Sequence, residues 1–257
     1  SSENVAHLMV SDAAALAGIQ LNQVEILLDL QRTAEARKAM PPTEKITAKD
    51  RQRAAFLDAQ LLLNEGHPAQ AQAGFQELIN QPQGQALPLH HSAAIGLADA
   101  IQYQGKPDEA AKSLLQFLQD HPDSPDLAAI FQRILQWLPE KPTATDPVLE
   151  RIAQWITPPM RPAIGPISTA GAEAVSAWPV TADPDGQSEL LAYSLYTRGV
   201  GLRRVDTPES KAESRRLLFR LRAEYPDHLL TQQALYEQAH WSLDQGDADQ
   251  AFAILET

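Results

Sequence analysis

The side chains that carry most protein chemistry are unevenly supplied here. No cysteine is present, which removes thiolate nucleophiles, disulfides and thiolate metal sites together. Seven histidines remain, but none belongs to a His-Glu-x-x-His pair, whose spacing brings two imidazoles to one helix face around zinc. The adjacent pair His90-His91, just after Pro88, would diverge by about 100° on a helix and reads as the start of a helix. Gly199-Val200-Gly201 supplies two glycines of a dinucleotide-binding turn, yet the third is absent and the surroundings are helical, which points to close helix packing. Neither a Gly-x-Ser-x-Gly elbow nor a phosphate-binding Gly-Lys-Ser/Thr loop occurs. The 33 Asp and Glu residues are so numerous that some pair always falls at catalytic spacing, so they assign no hydrolase site. The expectation is a chain with no catalytic residues, no metal and no cofactor.

Charge narrows the partners. A formal net charge of −12 argues against nucleic acid, whose non-specific binding depends on Lys and Arg displacing counterions. A protein or peptide partner, basic or neutral, fits better. One run departs from the acidic background: Arg198 to Arg222 holds eight Lys or Arg against Asp206, Glu209 and Glu213, a local +5. Such asymmetry can steer an acidic partner. The alternative is that Arg215, Arg216, Arg220 and Arg222 form a solvated helix face paired with nearby acids.

The elements that must position these residues follow from the patterning. The 257 residues, 44% hydrophobic and 21% charged, suit a folded chain of one extended array or two modest domains. No window approaches the ~18 apolar residues of a membrane span, so no membrane insertion is expected. An internal repeat is visible. Ala59 is followed seven residues later by Gly66 and twelve later by Ala71; Ala98 leads likewise to Gly105 and Ala110, and Ala239 to Gly246 and Ala251. Phe75, Leu114 and Leu255 each lie four beyond the second alanine, on the same helix face. Small alanines let two helices approach, and glycine takes the left-handed conformation that ends the first of them. Pro68 and Pro107 then suit the first turn of the next helix.

From Ala94 to Pro122, the positions Ala94, Leu97, Ala98, Ile101, Ala110, Leu114 and Pro122 follow the two-helix spacing of the tetratricopeptide repeat family, which this segment resembles. Smaller residues replace the family's aromatics, Asp58 stands at a normally apolar position, and Gly66 to Gly105 spans 39 residues where about 34 is usual. A fourth unit, carried by Gly199, Leu202, Leu218, Leu221 and Pro226, aligns with about three extra residues in its turn.

The resemblance implies an all-α fold: a right-handed α-solenoid of antiparallel helix hairpins, interrupted by a Pro-rich loop between two sub-arrays. The N-terminal array is expected over residues 1–156. It comprises a helical cap at 1–42, with helices over Glu3 to Ala17 and Leu21 to Ala39, then repeats at about 50–122 and extra helices at 124–156. Ser124-Pro125-Asp126 and Asp146-Pro147 read as capped helix starts. Residues 157–187 hold Pro158, Pro159, Pro162, Pro166, Pro179 and Pro184, which prevents long regular structure and predicts a loop or linker, part of which is expected to pack down through Trp178. Residues 188–257 form the C-terminal repeats, the last stopping within its second helix. Because the last unit stops there, the chain is expected to be part of a larger multi-repeat protein.

In the family, the first helices of successive units line a groove. Carried over within the matched units, the groove residues are Arg53, Phe56, Gln60 and Asn64; Ile95, Asp99, Gln102 and Tyr103; Tyr193, Tyr196, Arg203 and Arg204; and Gln233, Tyr236, His240 and Asp244. Tyr and Arg anchor interfaces well because they combine area with directional hydrogen bonds. The implied function is a non-catalytic scaffold or adaptor holding a polypeptide segment, with alanine at Tyr196 and Arg203 expected to weaken binding without unfolding. The dense Lys and Asn set that clamps a peptide's terminal carboxylate is lacking. The alternative is an accessory solenoid of a bacterial envelope enzyme or of an outer-membrane assembly or polysaccharide-export machine. His121-Pro122-Asp123-Ser124-Pro125, Tyr225-Pro226-Asp227 and Gln233-Ala234-Leu235-Tyr236 are similar to repeat joints of such proteins and lean the expected location toward the periplasm or another extracytoplasmic bacterial compartment.

Overall fold

The computed structural model describes residues 2–81, 87–156, 187–244 and 246–255. Among these residues the regular structure is entirely helical: α1 Ser2–Asp29, α2 Thr33–Ala39, a 3-10 turn at Thr43–Lys45, α3 Arg51–Asn64, α4 Pro68–Asn80, α5 Leu87–Tyr103, α6 Pro107–Asp120, α7 Leu127–Trp137, α8 Pro147–Ile156, α9 Gln187–Val205, α10 Pro208–Glu224, α11 Leu229–Asp244 and α12 Ala248–Leu255. The chain divides into two compact units, Ser1–Phe117 and Leu118–Thr257. The division does not fall at the proline-rich stretch, because α7 and α8 pack on α9 within the second unit. Residues 157–186, including Trp178, lie outside the described residues.

The glycine turns form as their sequence requires. Gly66, Gly105 and Gly246 all have positive φ, between 79° and 83°, a region open to glycine because it has no Cβ. After α3, the Gly66 N–H donates to the Leu63 carbonyl and the His67 N–H to the Leu62 carbonyl; Gly246 and Asp247 repeat this after α11 with Leu243 and Ser242. These bonds close the carbonyls that a helix end leaves open. Pro68, Pro107, Pro147 and Pro208 each open a helix, where the missing N–H costs nothing.

Three expectations about helix ends are corrected. The front of the chain does not break near Gly18: α1 runs unbroken to Asp29, and the turn comes at Gln31, whose φ is 57°. There the Gln31 and Arg32 N–H groups donate to Leu28 and Leu27, so a glutamine does what glycine does elsewhere. The extra residues of the fourth unit are not in its turn, which is only Asp206-Thr207. They lengthen α10, which has 17 residues against 14 in α6, close to one added helical turn. Finally, α7 starts at Leu127 and not at Pro125, with Ser124 Oγ accepting the Asp126 N–H at 3.3 Å. Asp146 behaves as expected: its carboxylate accepts the Val148 and Leu149 N–H groups at 2.9 and 3.4 Å and caps α8.

Within the first unit, α1, α2 and α3 share a core of Leu21, Val24, Leu27, Ala36, Ala54, Leu57 and Leu61. Next to it α4 packs on α3 and α5. The fully buried Phe75 of α4 lies under Gly96 of α5, where an added Cβ would come within 2.6 Å of the ring. His90 and His91 are both buried beside the Phe117 ring, with ring centroids 6.2 and 5.2 Å from it.

In the second unit α9 packs against α7, α8, α10 and α11. Its residues allow this crowding: Ala192, Ser194 and Thr197 are fully buried, and the two glycines face different neighbours. A Cβ at Gly199 would come 2.9 Å from Leu218 of α10, and one at Gly201 would come 2.5 Å from Leu149 of α8. The Gly199-Val200-Gly201 motif is therefore a packing device.

Candidate functional site

The expected groove positions fall on four helices: α3, α5, α9 and α11. They meet different fates. On α3, Arg53 donates through Nε to Glu25 at 2.8 Å and through a terminal nitrogen to Asn22 at 2.6 Å, both on α1. Phe56 packs edge-on to Phe75 with centroids 5.8 Å apart and joins the core. Gln60 is half-buried and Asn64 exposed. On α5, Ile95, Asp99 and Gln102 are half-buried, and Tyr103 is exposed. Two of the four positions on α3, Arg53 and Phe56, are thus consumed by packing.

The third and fourth sets converge, since α9 and α11 pack together. Arg203 spans the two helices. It forms an ion pair with Glu237, donates to that residue's carbonyl at 3.2 Å, and reaches Asp244 Oδ2 and His240 Nδ1, each at 3.1 Å. His240 Nδ1 lies 3.4 Å from the same Asp244 carboxylate oxygen. Tyr196 is half-buried beside this network, and burial pushes its phenol up, with Glu237 adding to the effect and Arg204 opposing it. Gln233, Tyr236, His240 and Asp244 all reach solvent.

Two members of the third set face elsewhere. Tyr193 stacks on Phe131 of α7, with centroids 5.6 Å apart and planes 12° from parallel, and meets His228 edge-on. Arg204 donates to the Leu135 carbonyl in the last turn of α7 at 3.0 Å. Neither belongs to the surface around Tyr236.

The basic run is spent inside the second unit. Arg204 and Arg220 donate to carbonyls at the ends of α7 and α8, Leu135 and Ile156, at 3.0 and 3.1 Å; cations there satisfy open carbonyls and oppose the helix dipole. Arg198 donates to the Leu149 carbonyl of α8 and lies 3.7 Å from Glu150. Arg215 stacks over Trp241 at 3.4 Å, and Arg222 donates to Gln238 at 3.0 Å, tying α10 to α11. Lys211 pairs with Asp206 at 2.6 Å, while Arg216 and Arg220 pair with Glu213 and Glu224 along α10. The expectation of pairing with nearby acids holds for Arg216 and Arg220. Arg215 and Arg222 instead reach another helix.

Three residues of the α11 surface escaped the sequence reading. Glu237 follows Tyr236 directly and is not itself a position that the repeat template selects. Leu229 and Leu243 continue the exposed face of Tyr236 in both directions; their signal is a seven-residue spacing on either side of it. Among the described residues no group of three His, Cys, Asp or Glu side chains is placed to hold a metal ion, and no helix is long and apolar enough to cross a membrane. Compared with known protein families, with curated proteins and with solved structures, the chain matches none.

Proposed function

We propose that this chain is a tetratricopeptide-like, right-handed array of antiparallel helix hairpins that acts as a non-catalytic adaptor, holding a polypeptide segment against α11 and the adjoining edge of α9. The observation that carries this reading is the outward face of α11. Tyr236 is 63% exposed and flanked by Leu229 and Leu243, beside a network of Arg203, Glu237, His240 and Asp244 that is held in place by a second helix. Aromatic and apolar area next to preorganised polar groups is the composition of protein-interaction hot spots.

The structure also changes which variant tests the idea. Arg203 joins two helices of the fold, so its removal mixes lost binding with lost support; Tyr236 makes no such bridge. The test places a benzophenone amino acid at position 236, and in a control at position 219, where Phe219 is 67% exposed on α10. Irradiated in extract, the chain is expected to capture a discrete protein from position 236 and not from 219. Equal, diffuse labelling from both positions would sink the adaptor reading.

A further inference from the structure

The α11 face has a register as well as a composition. Leu229, Gln233, Tyr236, His240 and Leu243 are all exposed and follow one another at intervals of four, three, four and three residues. That is the a/d interval of a heptad, which averages 3.5 residues and forms a narrow seam on one side of a helix. At about 100° per residue the five positions fall within a stripe of roughly 80°. The buried residues Leu230, Thr231, Ala234, Ala239 and Ser242 lie on the opposite side, toward the rest of the unit.

A seam of this kind selects the shape of what covers it. Knobs at 3.5-residue spacing match the holes of another helix, whereas an extended peptide presents side chains every second residue and pairs through a sheet edge. Among the described residues there is no strand to offer such an edge. Charge selects further. The edge of the seam toward α9 carries Glu237 and Asp244, and Arg203 is shared between them, leaving that edge one negative charge in excess. Asp247 and Asp249 follow just past the helix end. A second copy of the chain brings the same edge, with its own Glu237, Asp244 and Arg203 and so the same excess of negative charge: antiparallel pairing sets these like edges together, and parallel pairing sets them against Gln232 and Ala239.

We infer that α11 docks a single amphipathic α-helix of a partner protein, apolar at its own a and d positions and bearing Lys or Arg along the flank that meets Glu237 and Asp244. The inference rests on the adaptor reading and names the class of segment held. Five seam positions span about 21 Å, and an interface of that size belongs with weak, exchangeable complexes.

The probe is a lactam-bridged helical peptide of about three heptads with Leu at a and d and Lys at e and g, followed by fluorescence anisotropy with the full chain. Two twins accompany it, one with Glu at e and g and one with the same residues scrambled out of register. The Lys helix is expected to bind at least about tenfold tighter than either twin. Tyr236→Lys should weaken it by about tenfold or more, and Phe219→Lys by less than about twofold. Binding of the scrambled twin as tightly as the Lys helix overturns the proposal, as does tighter binding of the Glu twin, or a Tyr236-dependent dimer in sedimentation. If position 236 crosslinks a protein partner while none of the helices binds, the adaptor reading survives and the helical partner is wrong. If neither occurs, both fall.

Discussion

One spacing rule selects Arg53 and Phe56 on α3 and Tyr236 and His240 on α11, yet the two helices use these positions in opposite ways. On α3 a neighbour arrives: α1 supplies Glu25 and Asn22 to Arg53, and Phe56 turns onto Phe75. Within its unit α11 is packed by α9, α10 and α12, and the stripe from Leu229 to Leu243 stays exposed. A position's place in a repeat therefore does not decide whether it is exposed or packed. The next helix in space does.

The sharpest break of this comparison is an alanine at each aromatic. Phe56→Ala removes a ring from the first unit's core and should cost about 2–3 kcal/mol, somewhat less than a fully buried phenylalanine. Tyr236→Ala removes a ring from solvent and should change stability by no more than about 0.5 kcal/mol. Urea unfolding followed by far-UV circular dichroism measures both. Similar losses at the two positions would show that Tyr236 is structural and that α11 offers no free face.

A smaller effect separates ion pairs that join helices from those along one helix. Arg203 and Glu237 link α9 to α11 with side chains 22% and 26% exposed, whereas Arg216 in its pair with Glu213 on α10 is 77% exposed. Solvent screens the second pair almost fully and the first only in part. Double-mutant cycles should give a coupling of about 1–2 kcal/mol for Arg203 with Glu237 and about 0.5 kcal/mol or less for Arg216 with Glu213. Equal couplings would remove the claim that Arg203 fastens the α11 surface.

The all-helical content and the helix boundaries at Gly66, Gly105 and Gly246 were legible because each rests on local chemistry: a glycine with left-handed backbone, a proline or capping carboxylate just after it. The lengthened α10 was not, because an alignment places an insertion between two matched residues without saying whether it is coil or one more helical turn. The candidate surface was half legible. The repeat resemblance pointed to Gln233, Tyr236, His240 and Asp244. Leu229 and Leu243 required the register of a single helix, and the partner of Arg203 required two helices in contact. The fate of Arg198, Arg204 and Arg220 was hidden for a related reason: their acceptors are backbone carbonyls, which no side-chain pattern marks.

The break after α1 was illegible for a physical reason that can itself be tested. Gln31 holds φ of 57° and Asp206 holds φ of 63°, the only two non-glycine residues with positive φ among the described residues. In this region the Cβ of an L-residue crowds the following carbonyl oxygen, at about 1–2 kcal/mol, and glycine removes that cost while adding some freedom to the unfolded chain. Gln31→Gly should therefore gain about 0.5–1 kcal/mol. Asp206→Gly should gain less, because aspartate tolerates the left-handed region better and its carboxylate pairs with Lys211 at 2.6 Å, an interaction the substitution deletes. Thermal unfolding of the two variants decides it. A gain at Asp206 as large as that at Gln31 would mean the Lys211 pair contributes nothing to the α9–α10 turn; no gain at Gln31 would mean its side chain stabilises the turn as much as the strained backbone costs.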